Sequence, residues 1–488
     1  MATSDFSSSQ QVPQNSEPLP RISLFTMLRL GIFQMGLGIM SLLTLGVLNR
    51  VMIDELKVPA LIAAGAIAMH QFVAPARLWF GQMSDAKPIF GHHRTGYVWI
   101  GTALFTFAAF LAIQVVWRLN DSLVAVGWTG PTYAWVGVLA LLFAGYGLAL
   151  SSSSTPFAAM LVDVSDEDNR SKLVGVVWSM LMVGIIIGAI ISSGLLKQID
   201  GNASIEILQA SINRLFMLVP AAIFGLTLLA TFGVEKKYSR YRSRSTLVAR
   251  EDQITLGRAL RILTASRQTG IFFTFLIVMS ISLFMQEPVL EPYGGQVFGM
   301  KISETTQLNA YWGMGTLIGL GTTGFLVVPR LGKQRTTKLG CLLVAGAFGL
   351  IILSGLTRNP KLLQFAVFLF GLAAGMTTNG AISLMLDLTA AETAGTFIGA
   401  WGLAQAIARA LATVTGGAVL DLGKWLLAPF YAPNPIPETE LLPAYSLVFA
   451  LQAIGMLLAV SILSQVNVKE FQTNAKKAIA AVLVGDLD

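Results

Sequence analysis

Residues 212–233 read INRLFMLVPAAIFGLTLLATFG, and residues 234–268 read VEKKYSRYRSRSTLVAREDQITLGRALRILTASRQ. The first string is apolar over the roughly 20 residues that a helix needs to cross the hydrocarbon core of a bilayer. The second holds nine basic residues: Lys236, Lys237, Arg240, Arg242, Arg244, Arg250, Arg258, Arg261 and Arg267. Working outward from this junction, apolar stretches of spanning length recur six times on each side. Spans 1–6 are expected at 25–49, 59–83, 96–117, 133–162, 172–196 and 212–233. Spans 7–12 are expected at 269–292, 307–329, 337–356, 361–387, 395–420 and 441–464. Six spans, a basic linker and six more spans make a two-lobed, all-α membrane protein.

Composition agrees. The chain has 488 residues, 54% hydrophobic and 12% charged, with a mean hydropathy of +0.67. Soluble domains carry about 25% charged residues, so this chain cannot coat a large water-facing surface. The 47 glycines and long apolar runs fit helices rather than a β-barrel. The net charge of +7 reflects basic residues held in cytoplasmic loops, not a nucleic-acid partner. The single cysteine, Cys341, allows no internal disulfide.

The domain plan has five parts. Residues 1–24 form a disordered cytoplasmic tail without a signal peptide, and 25–233 form the first six-helix bundle. Residues 234–268 form the basic linker, 269–464 the second bundle and 465–488 a cytoplasmic tail. In the linker, Leu256, Leu260 and Leu263 lie on one face of an amphipathic helix. The Pro-rich 421–440 connection is expected to lie along the membrane interface. The tails and even-numbered loops hold 21 Lys and Arg against 9 in the odd-numbered loops, which places both termini in the cytoplasm. The other three, Arg29, Arg77 and Arg409, fall inside spans.

The halves repeat each other. Gly81-Gln-Met-Ser-Asp85, with Lys87, Gly91 and Arg94, follows span 2, and Arg330-Leu-Gly332-Lys333-Gln-Arg335 follows span 8. Spans 4 and 10 end on Met-Leu-Val-Asp163 and Met-Leu-Asp387; each Asp precedes a Gly by twelve residues. Two matches at corresponding loops argue for duplicated bundles around a central cavity.

These loops resemble the G-x-x-x-D-[RK]-x-G-[RK]-[RK] motif of the major facilitator superfamily. Gly81 and Asp85 fit; Ala86 replaces a basic residue, Gly91 and Arg94 come late, and Pro329 stands at the acidic position of the second copy. Four further strings resemble the bacteriochlorophyll-delivery group, the PucC and LhaA type of light-harvesting assembly protein. They are Asn49-Arg-Val-Met-Ile-Asp-Glu-Leu56, Pro75-Ala-Arg77, Gly91-His-His-Arg-Thr-Gly-Tyr97 and Leu290-Glu-Pro-Tyr-Gly-Gly-Gln-Val-Phe-Gly-Met300. This resemblance implies a photosynthetic membrane, thylakoid or intracytoplasmic, and chlorophyll or bacteriochlorophyll as the bound molecule. The implied partners are the lipid bilayer, light-harvesting or photosystem apoproteins and pigment-synthesis enzymes. It also implies that Asp85 latches onto the start of span 11 at Gly395.

Candidate residues follow from the scarcity of charge in the spans. Intramembrane charge faces the bundle interior and marks a functional site or a structural pair. Arg77 and Arg409 would grip a carboxylate, a phosphate or the propionyl ester end of a tetrapyrrole, or close ion pairs with Asp163 or Asp387. Glu287 and Glu291 share a face of span 7, and Pro288 and Pro292 free carbonyls there, as in a proton or cation site, a docking surface or a simple helix exit. His70, mid-span and about two turns from Arg77, would ligate the magnesium of a chlorophyll or bond a neighbouring helix. Gly184, Gly188, Gly315 and Gly319, at four-residue spacing, read as close helix contacts. Nucleotide-binding, metalloprotease and nucleophile-elbow motifs are absent, so no enzyme is expected. Pigment handling, proton-coupled transport of a small solute and a scaffold with no ligand remain the competing functions.

Overall fold

A computed structural model describes residues 22–165, 167–196, 204–239, 267–388, 394–431, 434 and 436–467. The expected N-terminal tail, the amphipathic linker helix and nearly all of the C-terminal tail lie outside the described residues. Among the described residues, ten helices are long and apolar enough to cross a bilayer, and two shorter apolar helices, Ala60–Phe72 and Gly270–Phe284, stand where spans 2 and 7 are expected. Among the described residues no strand is present; Ile89 and His92 form an isolated bridge. Large apolar side chains such as Phe107, Leu141, Leu229, Phe325 and Phe430 face outward. An apolar periphery of this extent is tolerable only against lipid, and the chain is an integral membrane protein.

The spans pack as two sets of six. Span 3 (Thr95–Val126) lies along span 4 (Gly130–Val164), and span 1 (Leu24–Glu55) along span 5 (Glu167–Leu196). In the second half, span 10 (Pro360–Leu388) is flanked by span 8 (Ile302–Leu331) and span 9 (Lys333–Thr357). The most extensive pairings between the halves are span 5 on span 8 and span 2 on span 11 (Ala394–Tyr431). Span 6 begins at Ile205 and span 12 covers Leu442–Ser464. The four glycines lie in such contacts. A Cβ on Gly184 would stand 2.1 Å from the Met35 carbonyl oxygen, and one on Gly315 2.2 Å from that of Phe368. Gly188 and Gly319 press on Ile39 and Leu372. Gly332, between spans 8 and 9, has φ +78°, which side-chain-bearing residues rarely adopt.

Several expected boundaries are corrected, among them the end of span 3, at Val126 rather than 117, and the start of span 6, at Ile205 rather than 212. Span 1 does not stop at 49 but continues to Glu55 through two π-helical segments, Leu42–Leu48 and Val51–Glu55. Arg50 and Asp54 look like a loop in sequence, yet they form an i,i+4 pair at 2.8 Å, so the helix carries them. Span 2 is interrupted at 73–75 and resumes as Ala76–Ala86, with Pro75 at the joint. Span 7 is interrupted at 285–289 and resumes as Leu290–Phe298. Span 11 runs on to Tyr431 rather than ending at 420, because the polar Asp421 is engaged by a neighbouring helix terminus rather than by water.

Gly184→Leu should lower the stability of the purified protein by roughly 1–3 kcal/mol, the usual cost of overpacking. Gly175→Ala, where a Cβ meets nothing within 4 Å, should leave it unchanged or slightly higher. Thermal unfolding in detergent, followed by loss of monodisperse protein, measures both.

Candidate functional site

Three polar clusters lie along the molecule. The first is at the end carrying the even-numbered loops. Arg94, 5% exposed, donates from Nε to Asp163 at 2.8 Å and from Nη1 to Ser84 Oγ at 2.6 Å. Asp163 is therefore committed to Arg94, and the expectation that it would pair with Arg77 or Arg409 is corrected. The physical reason is reach: Arg94 opens span 3 beside the end of span 4, whereas the two spanning arginines sit deeper. The carboxylate of Glu235, beyond span 6, accepts from the backbone amides of His93, Arg94 and Thr95 and from the Thr95 hydroxyl. It fills the unpaired N–H positions at the start of span 3, where the helix dipole also favours an anion. Glu235 was unremarkable in the sequence, one acid in a charged linker. Gly81 sits in the helix Ala76–Ala86, where a Cβ would meet only Thr155 at 3.5 Å. The side chains of Asp85 and Asp387 lie outside the described residues, so the latch to Gly395 does too. Arg330 and Arg335 are exposed beside Gly332, and Lys333 is half-buried. Arg29 donates to the free carbonyls of Leu229 and Phe232 at the end of span 6, at 2.8 and 2.6 Å.

The second cluster is at mid-depth, between the halves. The His70 ring, half-buried, is held by its own helix through Nδ1 and the Ile67 carbonyl at 2.5 Å. A carbonyl can only accept, so Nδ1 carries the proton and Nε2 keeps its lone pair. The rings of Phe143 and Tyr146 lie 6.4 and 6.0 Å away. Arg77 is exposed, yet it lies within electrostatic reach of Arg409 on the opposite half, and His70 senses both. The open space beside Arg77 therefore lies between the halves, not in lipid. Arg409 does not pair with Asp163; it forms a two-pronged ion pair with Glu287 (Nε to Oε2, 3.2 Å) and stacks over Phe284, its Cζ 4.6 Å from the ring centre. This leaves Arg77 as the cation of the pair with no ion-pair partner among the described residues. Glu287 and Glu291 thus play different parts, although their spacing placed them on one face.

The third cluster closes the end carrying the odd-numbered loops. Pro292 has no N–H, so the Pro288 carbonyl has no helical partner. Asn49, on the other half, donates to it at 2.7 Å. Arg50, 3% exposed, binds Asp54 at 2.8 Å, Glu55 at 3.4 Å, Thr305 Oγ1 at 3.1 Å and the carbonyls of Met300 and Glu291 at 3.1 and 3.3 Å. Lys57 pairs with Glu438. The Asp421 carboxylate, near the end of span 11, accepts from the amides of Ala60 and Leu61 at the start of span 2, at 3.1 and 2.8 Å. Gln307 reaches Ser193 at 2.9 Å. Among the described residues, the hydrogen bonds joining the halves all lie at this end. Arg50, Asp54 and Asp421 were not picked out from sequence. The signal available was that the strings 49–56 and 290–300 were both unusual; the structure shows that they touch.

Asp163→Asn should remove a buried, charge-assisted bond from Arg94 and destabilise the protein by about 1.5–3 kcal/mol, read as a fall in its detergent unfolding temperature. Asp421→Ala should instead loosen the odd-loop end, read as faster alkylation of a cysteine placed at Leu61 with little change in unfolding temperature.

Comparison with known proteins agrees with this architecture. A bacterial homologue of the iron transporter ferroportin, solved in an inward-facing state, superimposes with a TM-score of 0.65 at 14% identity over 91% of this chain and 99% of that one. At that identity the likeness establishes the fold, that of the major facilitator transporters. An uncharacterized protein in the puhA-bchM intergenic region of Rhodobacter capsulatus is 31% identical over 413 residues, 83% of this chain and 82% of the relative. Protein PucC of the same organism is 29% identical over 453 residues, 91% and 92% of the two chains. The bacteriochlorophyll synthase 44.5 kDa chain of that organism is 29% identical over 439 residues, 88% and 92%. The model of the PUCC protein family matches residues 47–471, from the end of span 1 to beyond span 12, and the chain belongs to that family.

Proposed function

We propose that this protein holds a chlorophyll-type pigment between its two halves and hands it to light-harvesting or photosystem apoproteins in a photosynthetic membrane, with both termini in the cytoplasm. It is a handling and assembly protein rather than an enzyme. Membership of the PUCC family and the name of the bacteriochlorophyll synthase relative support the pigment class. The observation that carries the reading is the state of His70. Its Nδ1–H is tied down and its Nε2 lone pair is left available, which is the arrangement of a ligating histidine. The buried rings of Phe143 and Tyr146 pack beside the imidazole and fix its position. Arg77 supplies a donor for a carbonyl or carboxylate at the macrocycle's edge. These residues fit a magnesium tetrapyrrole as cargo: His70 would bind the metal axially, Arg77 would orient the polar edge, and the protein would exclude water from the ring.

A second reading, proton-coupled transport of a small solute, is favoured by the Glu287–Arg409 pair at the junction of spans 7 and 11 and by the transporter fold. The absorption spectrum of protein purified in mild detergent separates the two. A stoichiometric red chlorophyll band is expected, reduced at least several-fold in His70→Leu. Colourless protein that drives proton-dependent uptake in liposomes would establish the second reading instead.

A further inference from the structure

Glu291 stands where span 7 resumes after its break, and it is 3% exposed. Oε1 accepts from Asn309 Nδ2 at 2.5 Å, while Oε2 has no hydrogen-bond partner among the described residues. The backbone of span 1 sits directly on the carboxyl: a Cβ on Gly46 would lie 2.2 Å from Oε1. A further buried acceptor without a partner is Asn49 Oδ1 of span 1, and the Thr306 hydroxyl of span 8 also lacks one. Nearby charges do not balance. From span 1 come Arg50, Asp54 and Glu55, from the loop after it Lys57, and from the approach to span 12 Glu438. With Glu291, four carboxyl groups face two cations. Asp421 and Lys424 of span 11 offset each other. Span 8 contributes only the uncharged Thr305, Thr306 and Asn309 against this group, and span 12 contributes Tyr445, which bonds Gln296. Arg50 gives its guanidinium to Asp54 and Glu55 and reaches only the backbone oxygen of Glu291.

The geometry points to Glu291 as a proton-binding site that locks the two halves together at the odd-loop end. An ionised carboxylate with one oxygen lacking any donor is costly in such a place. A protonated one supplies a donor on a face where the Asn49 acceptor stands empty. A metal cation is a poor alternative occupant, because the side chain aimed at the carboxyl is the Asn309 amide, a donor. The proton is exchanged with water when the halves part. Low pH therefore holds the odd-loop end closed, and rising pH opens it as Glu291 releases its proton. This inference does not depend on what the protein carries.

The test uses the full chain in lipid nanodiscs, in a Cys341→Ser background, with spin labels on Val124→Cys and Leu356→Cys. These positions are 80% and 66% exposed, at the odd-loop ends of spans 3 and 9. The short interlabel distance should dominate at about pH 5.5 and give way to a longer one by about pH 8.5, spanning the titration range of a buried carboxyl. E291Q, the neutral isostere, should keep the short distance throughout. Asn309→Leu removes the donor that favours the ionised form and should move the midpoint up by about one pH unit. A wild-type distribution that ignores pH, or a pH response that survives in E291Q, overturns the proposal. Should E291Q not fold, an unmoved midpoint in Asn309→Leu overturns it equally.

Discussion

A carbonyl with no amide to bind is the constraint around which the molecule is arranged. Lipid offers no water to backbone groups, so each break in a spanning helix must be repaired by protein. Span 7 breaks because Pro288 and Pro292 interrupt its ladder, and Asn49 of the other half repairs it at the Pro288 oxygen. That single bond fixes the height of span 1 against span 7. It brings Arg50 to the carbonyls of Glu291 and Met300 and sets Gly46 on the Glu291 carboxyl. The closed odd-loop end follows from one proline-made vacancy and the side chain that answers it.

The same logic recurs at helix starts, where N–H groups lack partners and the dipole favours an anion. Glu235 fills this place for span 3 and Asp421 for span 2. Spans 2 and 11 run antiparallel, so the Asp421 contact mirrors the one expected between Asp85 and the start of span 11 at the opposite end. A carboxylate near the end of each helix would then meet the beginning of the other. Between the two ends, His70, Arg77 and the Arg409–Glu287 pair occupy the level where a bound molecule would sit.

Much of this was legible in the sequence. The lack of charge required a membrane, the spacing of apolar runs gave twelve crossings, and glycines at four-residue intervals marked contacts that the backbone oxygens of Met35, Phe368 and Leu372 now occupy. These features are local: each depends on hydrophobicity or on the absence of a Cβ within a few residues. Charge pairing was not legible. Asp163 and Arg94 are 69 residues apart and Arg409 and Glu287 are 122 apart. Arg50 and Asp54 looked like the end of a span, because a hydropathy pattern registers charge and cannot register its neutralisation by a neighbour.

By itself, then, the sequence determined that the chain is a two-part bundle of membrane helices and named a short set of polar residues able to matter. Tertiary structure alone decided their roles. It gave Arg409 a partner while leaving Arg77 facing open space. It separated Glu287, held by Arg409, from Glu291, enclosed between the halves. The reason is that a buried charge is governed by whichever groups surround it in space, and those groups come from helices that the chain brings together only when it folds.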